Sequence, residues 1–114
     1  MTTNVQEILK SKLLTMFPEN DARQEIIKIL NQYGTETYEK EIDRVQLDIL
    51  KLAGTSIEAV RMWVDVAKRD YRDILAAAEY PNQLLAPTWK MAKDEITRIQ
   101  ASDRKQYEEW IKHN

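Results

Sequence analysis

One apolar stripe at helical spacing runs from Thr55 to Tyr80 and limits the folds that are open to this chain. Its members recur at alternating steps of three and four residues, which places them on a single face of an α-helix. They are Ile57, Val60, Val64, Ala67, Tyr71, Ile74 and Ala78. Thr55 and Glu58 form a capping box at the start, and Pro81 ends the pattern. The spacing therefore predicts one long helix over about 56–80.

The scarcity of turn-forming residues and the lack of cysteine bound the rest of the fold. The 114-residue chain contains two glycines and three prolines, whereas a sheet protein needs many tight turns. Because there is no cysteine, disulfides, thiol nucleophiles and cysteine-ligated metal sites are excluded. The 43% share of hydrophobic residues is typical of a globular protein. We therefore expect an all-α single domain over 1–114, close to the commonest domain size.

Shorter helices are predicted around this central rod. The first three cover about 4–17, 21–33 and 37–53, and the last begins near Pro87 after a loop at 81–87. From Val45 onward the third helix is apolar around much of its circumference, so this half should be the most buried segment. The last helix either continues through Ser102-Asp103 or breaks there. The expected architecture is a bundle of five helices, or six if that break occurs.

Two clusters near the end of the long helix are candidate binding sites. Lys68, Arg69 and Arg72 could bind an anion, although the neighbouring acids favour a solvated face with weak ion pairs. A second cluster could form a cleft with aromatic walls and a charged edge. Its residues are Tyr71, Arg72, Glu79, Tyr80 and Trp89. The alternative is a tight helix crossing at the alanines of 76–78, with an aromatic corner that fixes the loop.

Apolar side chains that lie off the main stripes point to a contact surface. Trp63 is at the edge of the long stripe, while Met62 and Val66 lie on another face. If Met62 and Val66 are exposed, they form a partner site or a dimer seam; the alternative is burial under the first or last helix. Further apolar residues off the stripes are Leu14, Leu47, Leu50 and Met91.

The sequence contains no recognisable catalytic or metal-binding motif. His113 is the only histidine, and no carboxylate accompanies it at a metal-ligand spacing. We therefore expect no catalytic residue, metal or cofactor. Carboxylates alone could still bind a cation or act in acid/base chemistry, and the candidates are Glu41, Asp48, Asp65 and Glu95.

Charge and hydropathy exclude further classes of partner. The formal net charge is −2 with both signs interspersed, which gives no electrostatic footprint for nucleic acid or for anionic lipid. No apolar run approaches the length of a membrane span, and Met1-Thr2-Thr3-Asn4 lacks the pattern of a signal peptide. We therefore expect a cytoplasmic protein that binds neither nucleic acid nor membrane.

Two segments resemble a group of small bacterial helical proteins. The more specific one is the run AKRDYRDILAAAEYP from Ala67 to Pro81, and the other lies between Tyr33 and Leu52. Together they cover less than half of the chain. The resemblance implies an α-helical cytoplasmic protein, but it implies no activity and transfers no functional residues.

The sequence favours a non-enzymatic protein that binds another protein, or a second copy of itself, through an apolar helix face. The alternative is a small-ligand or enzymatic site at the corner formed by 71–89. A pocket there with a buried arginine–glutamate pair would favour that alternative, whereas a filled corner would exclude it. The candidate residues for both are Trp63, Arg69, Tyr71, Arg72, Glu79, Tyr80 and Trp89.

Overall fold

The computed structural model of the protein describes residues 4–113, and most of them are helical. Seven α-helices and one 3₁₀-helix follow one another, with no strand in this part of the chain. The helices are α1 (Val5–Met16), α2 (Asn20–Leu30), α3 (Ile42–Ala53), α4 (Ile57–Arg69), α5 (Tyr71–Glu79), α6 (Pro81–Leu85), the 3₁₀-helix (Thr88–Lys90) and α7 (Lys93–Lys112). Residues 1–3, which carry most of the signal-peptide expectation, and residue 114 lie outside the described part. No described helix has the length and apolarity that crossing a membrane requires.

The core is built around α3, which packs against α1, α4 and α5. Every residue from Val45 to Leu50 on this helix is buried, the longest such run among the described residues. This confirms the prediction that the second half of the third helix is its most buried part. Because even the polar positions of the run face other helices, α3 carries buried polar side chains as well as apolar ones.

The third helix begins at Ile42 instead of near Thr37, so its predicted start is wrong. The preceding segment is a loop organised by Glu39, whose carboxylate oxygen Oε1 accepts hydrogen bonds from three successive backbone N–H groups. These belong to Gly34, Thr35 and Glu36. Lys68 Nζ lies 2.9 Å from the other carboxylate oxygen. With its N–H groups directed at one carboxylate, the loop cannot form the i→i−4 bonds of a helix.

The single long helix predicted over 56–80 is also wrong, because α4 and α5 are separate helices divided at Asp70. Asp70 has an extended backbone (φ −160°, ψ 107°), and its carboxylate accepts a hydrogen bond from the Arg72 N–H at 3.0 Å. Aspartate is a weak helix former and a strong N-cap, so its side chain starts a second helix here. The bundle is therefore not arranged around one central rod.

The predicted apolar stripe nevertheless faces the interior on both sides of the break. Five of its members are buried: Val60, Val64, Ala67, Ile74 and Ala78. The other two, Ile57 and Tyr71, are partly buried against the core. The periodicity thus identified the correct face, although it did not reveal where one helix ends and the next begins.

The C-terminal region contains more helix than predicted. The segment 81–87, predicted as a loop, includes α6, and Trp89 lies in the 3₁₀-helix and not in the last helix. The last helix, α7, is continuous through Ser102-Asp103. Asp103 is neither the cap of a separate helix nor a surface residue. It is fully buried, and its carboxylate accepts hydrogen bonds from the N–H groups of Asn82 (3.1 Å) and Gln83 (2.9 Å) in the first turn of α6.

Candidate functional site

A groove opens between α5, the α6–3₁₀ segment and α7, at the corner that the sequence indicated. We call it the corner groove; it has a volume of about 850 Å³, which is within the range of protein binding sites. Its α6–3₁₀ side carries apolar and aromatic side chains, namely Tyr80, Leu84 and Trp89. Its α7 side carries polar side chains, namely Gln100, Arg104 and Glu108. The corner is therefore open, not filled.

The apolar side of the corner groove is strongly exposed to solvent. Trp89 is 79% exposed, Leu84 is 58% exposed, and the adjacent Leu85 is 86% exposed. Of the nine large hydrophobic side chains that are exposed in the described part of the chain, four stand at this corner. Contiguous exposed apolar surface of this kind is typical of contact sites, because its burial by a partner is favourable by about 25 cal/mol per Å².

Beneath the groove, a partly buried ion pair joins α3 to the end of α5. The guanidinium of Arg44 donates two hydrogen bonds to the Glu79 carboxylate, from Nε to Oε2 at 2.7 Å and from Nη2 to Oε1 at 2.5 Å. Glu79 is the last residue of α5 and lines the groove, with a side chain that is 10% exposed. Such two-point pairing fixes both position and orientation of the carboxylate.

A second polar contact lies one helical turn further along α3. Asp48 is four residues after Arg44, so both side chains lie on the same face of α3. The Tyr107 hydroxyl of α7 donates a hydrogen bond to Asp48 Oδ1 at 2.5 Å, and Tyr107 itself lines the groove. Asp48 is completely buried, and its second oxygen, Oδ2, receives no hydrogen bond from any described residue.

Arg44, Glu79, Asp48 and Tyr107 form the floor of the groove. Their electrostatics explain why Asp48 Oδ2 has no hydrogen-bond donor among the described residues. Burial and the neighbouring Glu79 carboxylate raise the pKa of Asp48 far above its usual range. Burial opposes ionisation of Glu79 as well, but the hydrogen bonds from Arg44 and Asp48 outweigh it and lower the Glu79 pKa. Arg44 gives its hydrogen bonds to Glu79 and none to Asp48, so Asp48 is the acid that keeps its proton. A neutral Asp48 beside the ionised Glu79 is the arrangement that these pKa shifts favour.

Most other buried polar side chains have an evident structural task. Gln46 donates to the Leu30 and Tyr33 carbonyls at the end of α2, and Asp103 caps α6. Lys12 of α1 donates to the last carbonyls of α7, those of Trp110 and His113, while Glu39 shapes a loop. Each satisfies the free backbone groups of a helix end or turn. The carboxyl pair under the corner groove instead links α3 to α5 and α7 through Arg44 and Tyr107, and buried acids with shifted pKa values beside a pocket are typical of functional sites.

The structure divides the predicted site residues between two places. Three line the corner groove: Glu79, Tyr80 and Trp89. Three line a separate notch of about 270 Å³: Arg69, Tyr71 and Arg72. The seventh, Trp63, belongs to neither and packs partly buried against the core. The structure therefore brings Glu79, Tyr80 and Trp89 together and separates them from Tyr71 and Arg72.

Two other candidate surfaces from the sequence, the basic cluster of Lys68, Arg69 and Arg72 and the face that carries Met62 and Val66, are poorly suited to binding. Lys68 pairs with Glu39, and the Arg72 guanidinium pairs with Asp70 at 2.9 Å, so two of the three cations are already neutralised. Met62 is half exposed, but Val66 is partly buried against the core. The two therefore do not form a joint exposed patch.

The sequence interpretation missed the partners that define the floor of the groove. It named Asp48 only as one carboxylate among several, and it did not name Arg44. An arginine–glutamate pair is present at the corner, but its arginine is Arg44 of α3 and not Arg72, and only its glutamate is buried. One signal was present: Asp48 stands between Leu47 and Ile49 in the most apolar half of α3. An acid in such a run has to be buried, and a buried acid requires partners.

Neither a metal motif nor a relative assigns a function to this site. Within residues 4–113, no three histidine or acidic side chains are grouped so that they could hold a metal ion. Comparisons of the chain with protein-family models, with curated proteins and with solved structures give no match. The geometry of the corner groove and its floor is therefore what supports a function.

Proposed function

We propose that this protein is an interaction domain that binds a protein segment in the corner groove. The observation that carries the proposal is the exposure of Leu85 and Trp89, at 86% and 79%, beside an open groove. A folded protein gains nothing from holding such side chains in water, whereas a partner that covers them gains apolar contact area. Tryptophan is also among the residues that most often dominate binding energy at protein interfaces.

The floor of the groove supports the same proposal. The Arg44–Glu79 and Tyr107–Asp48 contacts connect α3, α5 and α7, so two sides of the groove are held in place before anything binds. A site that is formed in advance loses less conformational entropy on association. The polar side on α7 gives the groove a means of discriminating between partners, since a mismatched polar group would be buried unpaired.

Site-specific photocrosslinking in cells that produce the protein tests this proposal. A benzophenone amino acid replaces Leu85 or Trp89, and in matched controls it replaces Leu14 or Met62, which are also apolar and exposed. We expect covalent adducts with one protein from Leu85 and Trp89 and not from Leu14 or Met62. The Trp89→Ala change, combined with the crosslinker at Leu85, should reduce adduct yield several-fold.

Two results would contradict the proposal. Equal adduct yields from Leu85, Trp89 and the two control positions would show contact by chance. No adduct from either Leu85 or Trp89 would leave the exposed corner without a partner. Circular dichroism of each variant checks that the fold is intact, and since all four positions are exposed, the substitutions should leave it unchanged.

A small ligand is the second candidate for the same groove, and the carboxyl pair favours it. Glu79 and Tyr107 present polar atoms at a floor where the pKa of Glu79 is lowered by the hydrogen bonds of Arg44 and Asp48 and that of Tyr107 is raised by burial, and shifted pKa values occur in many ligand-binding and active sites. A fragment screen followed by NMR distinguishes the two candidates. Fragments that shift the Glu79 and Tyr107 signals with affinity comparable to that of a protein partner would favour the small-ligand site.

A further inference from the structure

We infer that the occupant of the corner groove is an amphipathic helix of another protein, lying alongside α7 with an acid opposite Arg104 and a base opposite Glu108. This inference rests on the proposed function and specifies the partner. Three features carry it: the line of polar residues on α7, two charges that have no partner, and the hydrogen bonding of the groove walls.

The polar side of the groove is a straight line along α7. Gln100, Arg104 and Glu108 recur every four residues, which places them about 6 Å apart along the helix axis. A partner helix that packs alongside α7 presents its own i, i+4 positions at the same interval. The line spans about 12 Å, or roughly two helical turns. On the opposite side, Tyr80, Leu84 and Trp89 would receive an apolar stripe.

Arg104 and Glu108 are unpaired although their spacing would permit a salt bridge between them. Both are exposed, and within residues 4–113 no ion pair within 4.0 Å involves either residue. By contrast, the exposed Arg98 and Asp94 on the same helix do pair, at 3.5 Å. The groove thus offers one cation and one anion, a turn apart, to a partner with the complementary order of charges.

The walls offer few backbone groups to an extended peptide. There is no strand edge among the described residues, and the backbone N–H groups at the 3₁₀ end are already used. Those of Ala86, Thr88 and Lys90 donate to Asn82, Ala86 and Pro87 respectively. An extended segment in this groove would lose the hydration of its own N–H and C=O groups without replacement. A helix satisfies these groups internally, so it enters the groove without that loss.

Two phage-displayed peptide libraries test the inference on the full chain. One is a helical template with an apolar stripe at i, i+3, i+4 and i+7 and with Glu, Lys or Gln at the flanking positions. The other holds its peptides extended by regular prolines. We expect binders from the helical library that lose binding on Trp89→Ala and keep it on Leu14→Ala, the matched control at another exposed apolar residue.

The charge order is tested by exchanging the two charges on α7. In the double variant Arg104→Glu, Glu108→Arg, the selected helices should bind roughly tenfold more weakly, and peptides with reversed charges should recover that loss. Because both side chains are exposed and unpaired, the exchange leaves the fold intact, and circular dichroism checks this.

Each alternative outcome contradicts either the helical partner or the proposed function as a whole. Trp89-dependent binders from the extended library alone, or helical binders that ignore the charge exchange, overturn this inference and leave the proposed function standing. A dimer in light scattering that Trp89→Ala dissociates replaces the partner helix with a second copy of this chain. If neither library yields Trp89-dependent binders and crosslinking fails as well, the proposed function falls with the inference.

Discussion

Asp48 is the residue at which this fold departs most from ordinary core construction. It is a carboxyl group with no exposure, in contact with Tyr107 and beside a carboxylate that is already paired with Arg44. Ionising it would bury a second negative charge that receives no hydrogen bond from Arg44, which is strongly unfavourable. The folded chain therefore holds Asp48 as a neutral acid, whereas the unfolded chain exposes it to water and ionises it.

This difference makes stability depend on pH. The pKa of Asp48 is about 9 in the folded chain against 3.8 for a free side chain, so between these values the folded state binds more protons than the unfolded state. The free energy of unfolding should then fall as pH rises, by up to about 1.4 kcal/mol per pH unit. Asp48→Asn imitates the neutral acid, because its amide can accept from Tyr107 and donate to Glu79. We expect this variant to lose the slope and to be the more stable protein at pH 8.

Urea unfolding followed by tryptophan fluorescence, from about pH 5.5 to 8, measures the effect. The lower limit keeps the titration of Glu79 out of the range, since a lowered pKa costs stability only as pH falls below the usual value of 4.5. Asp94→Asn, at an exposed acid on α7, is the matched control and should retain the slope of the parent protein. Parallel curves for the parent and Asp48→Asn would disprove a neutral Asp48.

At this scale, sequence reasoning identified residues better than it identified their partners. Glu79, Tyr80 and Trp89 are adjacent to a proline-terminated helix end, so local pattern was enough to place them at one corner. Arg44 and Asp48 are more than thirty positions from Glu79 along the chain, and only tertiary packing brings them together. Periodicity reports which face a residue occupies on its own helix, but it contains no information about which helix lies opposite.

At the scale of elements, the break between α4 and α5 shows how one side chain can override an otherwise continuous pattern. The apolar stripe passes through Asp70 without losing phase, and so it gave no warning of the break. The local signal was Asp70 itself together with Asp73, an acidic pair at the spacing of a capping box. A solvated surface aspartate at this position would fit the helical pattern equally well. Periodicity alone therefore could not show whether the helix breaks at Asp70.

Removing that cap should destabilise the protein without changing its fold. Asp70→Ala deletes the hydrogen bond from the Arg72 N–H and the ion pair with the Arg72 guanidinium, and loss of an N-cap typically costs about 0.5–2 kcal/mol. Alanine also favours a continuous helix over 57–79, which would pull α5 away from α3. Because the α3–α5 packing opposes that change, we expect reduced stability and an unchanged circular dichroism spectrum.

Asp65→Ala is the matched control, because Asp65 is an exposed acid inside α4 that has no ion pair within 4.0 Å among the described residues. Its replacement should change the free energy of unfolding by less than about 0.5 kcal/mol. Equal effects of the two substitutions in urea denaturation would mean that the Asp70 cap contributes nothing.

The molecule as a whole is an apolar core of α1 to α5 with a C-terminal helix that is less deeply buried. In α7 only Asp103 is fully buried, while Ile96, Ile99, Trp110 and Ile111 are partly buried. Hydrogen bonds add to these contacts: Asp103 to α6, Gln106 to the Ala78 carbonyl, Tyr107 to Asp48, and Lys12 to the end of α7. A typical hydrogen bond contributes about 1 kcal/mol net, so α7 is held less firmly than the helices that share the core.

Native-state hydrogen exchange followed by NMR should therefore show two levels of opening. Amides in the buried run of α3, such as those of Ile49 and Leu50, should exchange only through global unfolding, with a steep dependence on denaturant. Amides of α7 from Gln100 to Glu108 should exchange through a local opening of lower free energy and shallow denaturant dependence. If α7 amides instead follow the same isotherm as α3, the helix is part of the global unit. Since α7 forms the polar side of the corner groove, a bound partner helix should slow exchange in α7, and it should slow exchange in α3 as well because binding to the folded state raises the free energy of global unfolding.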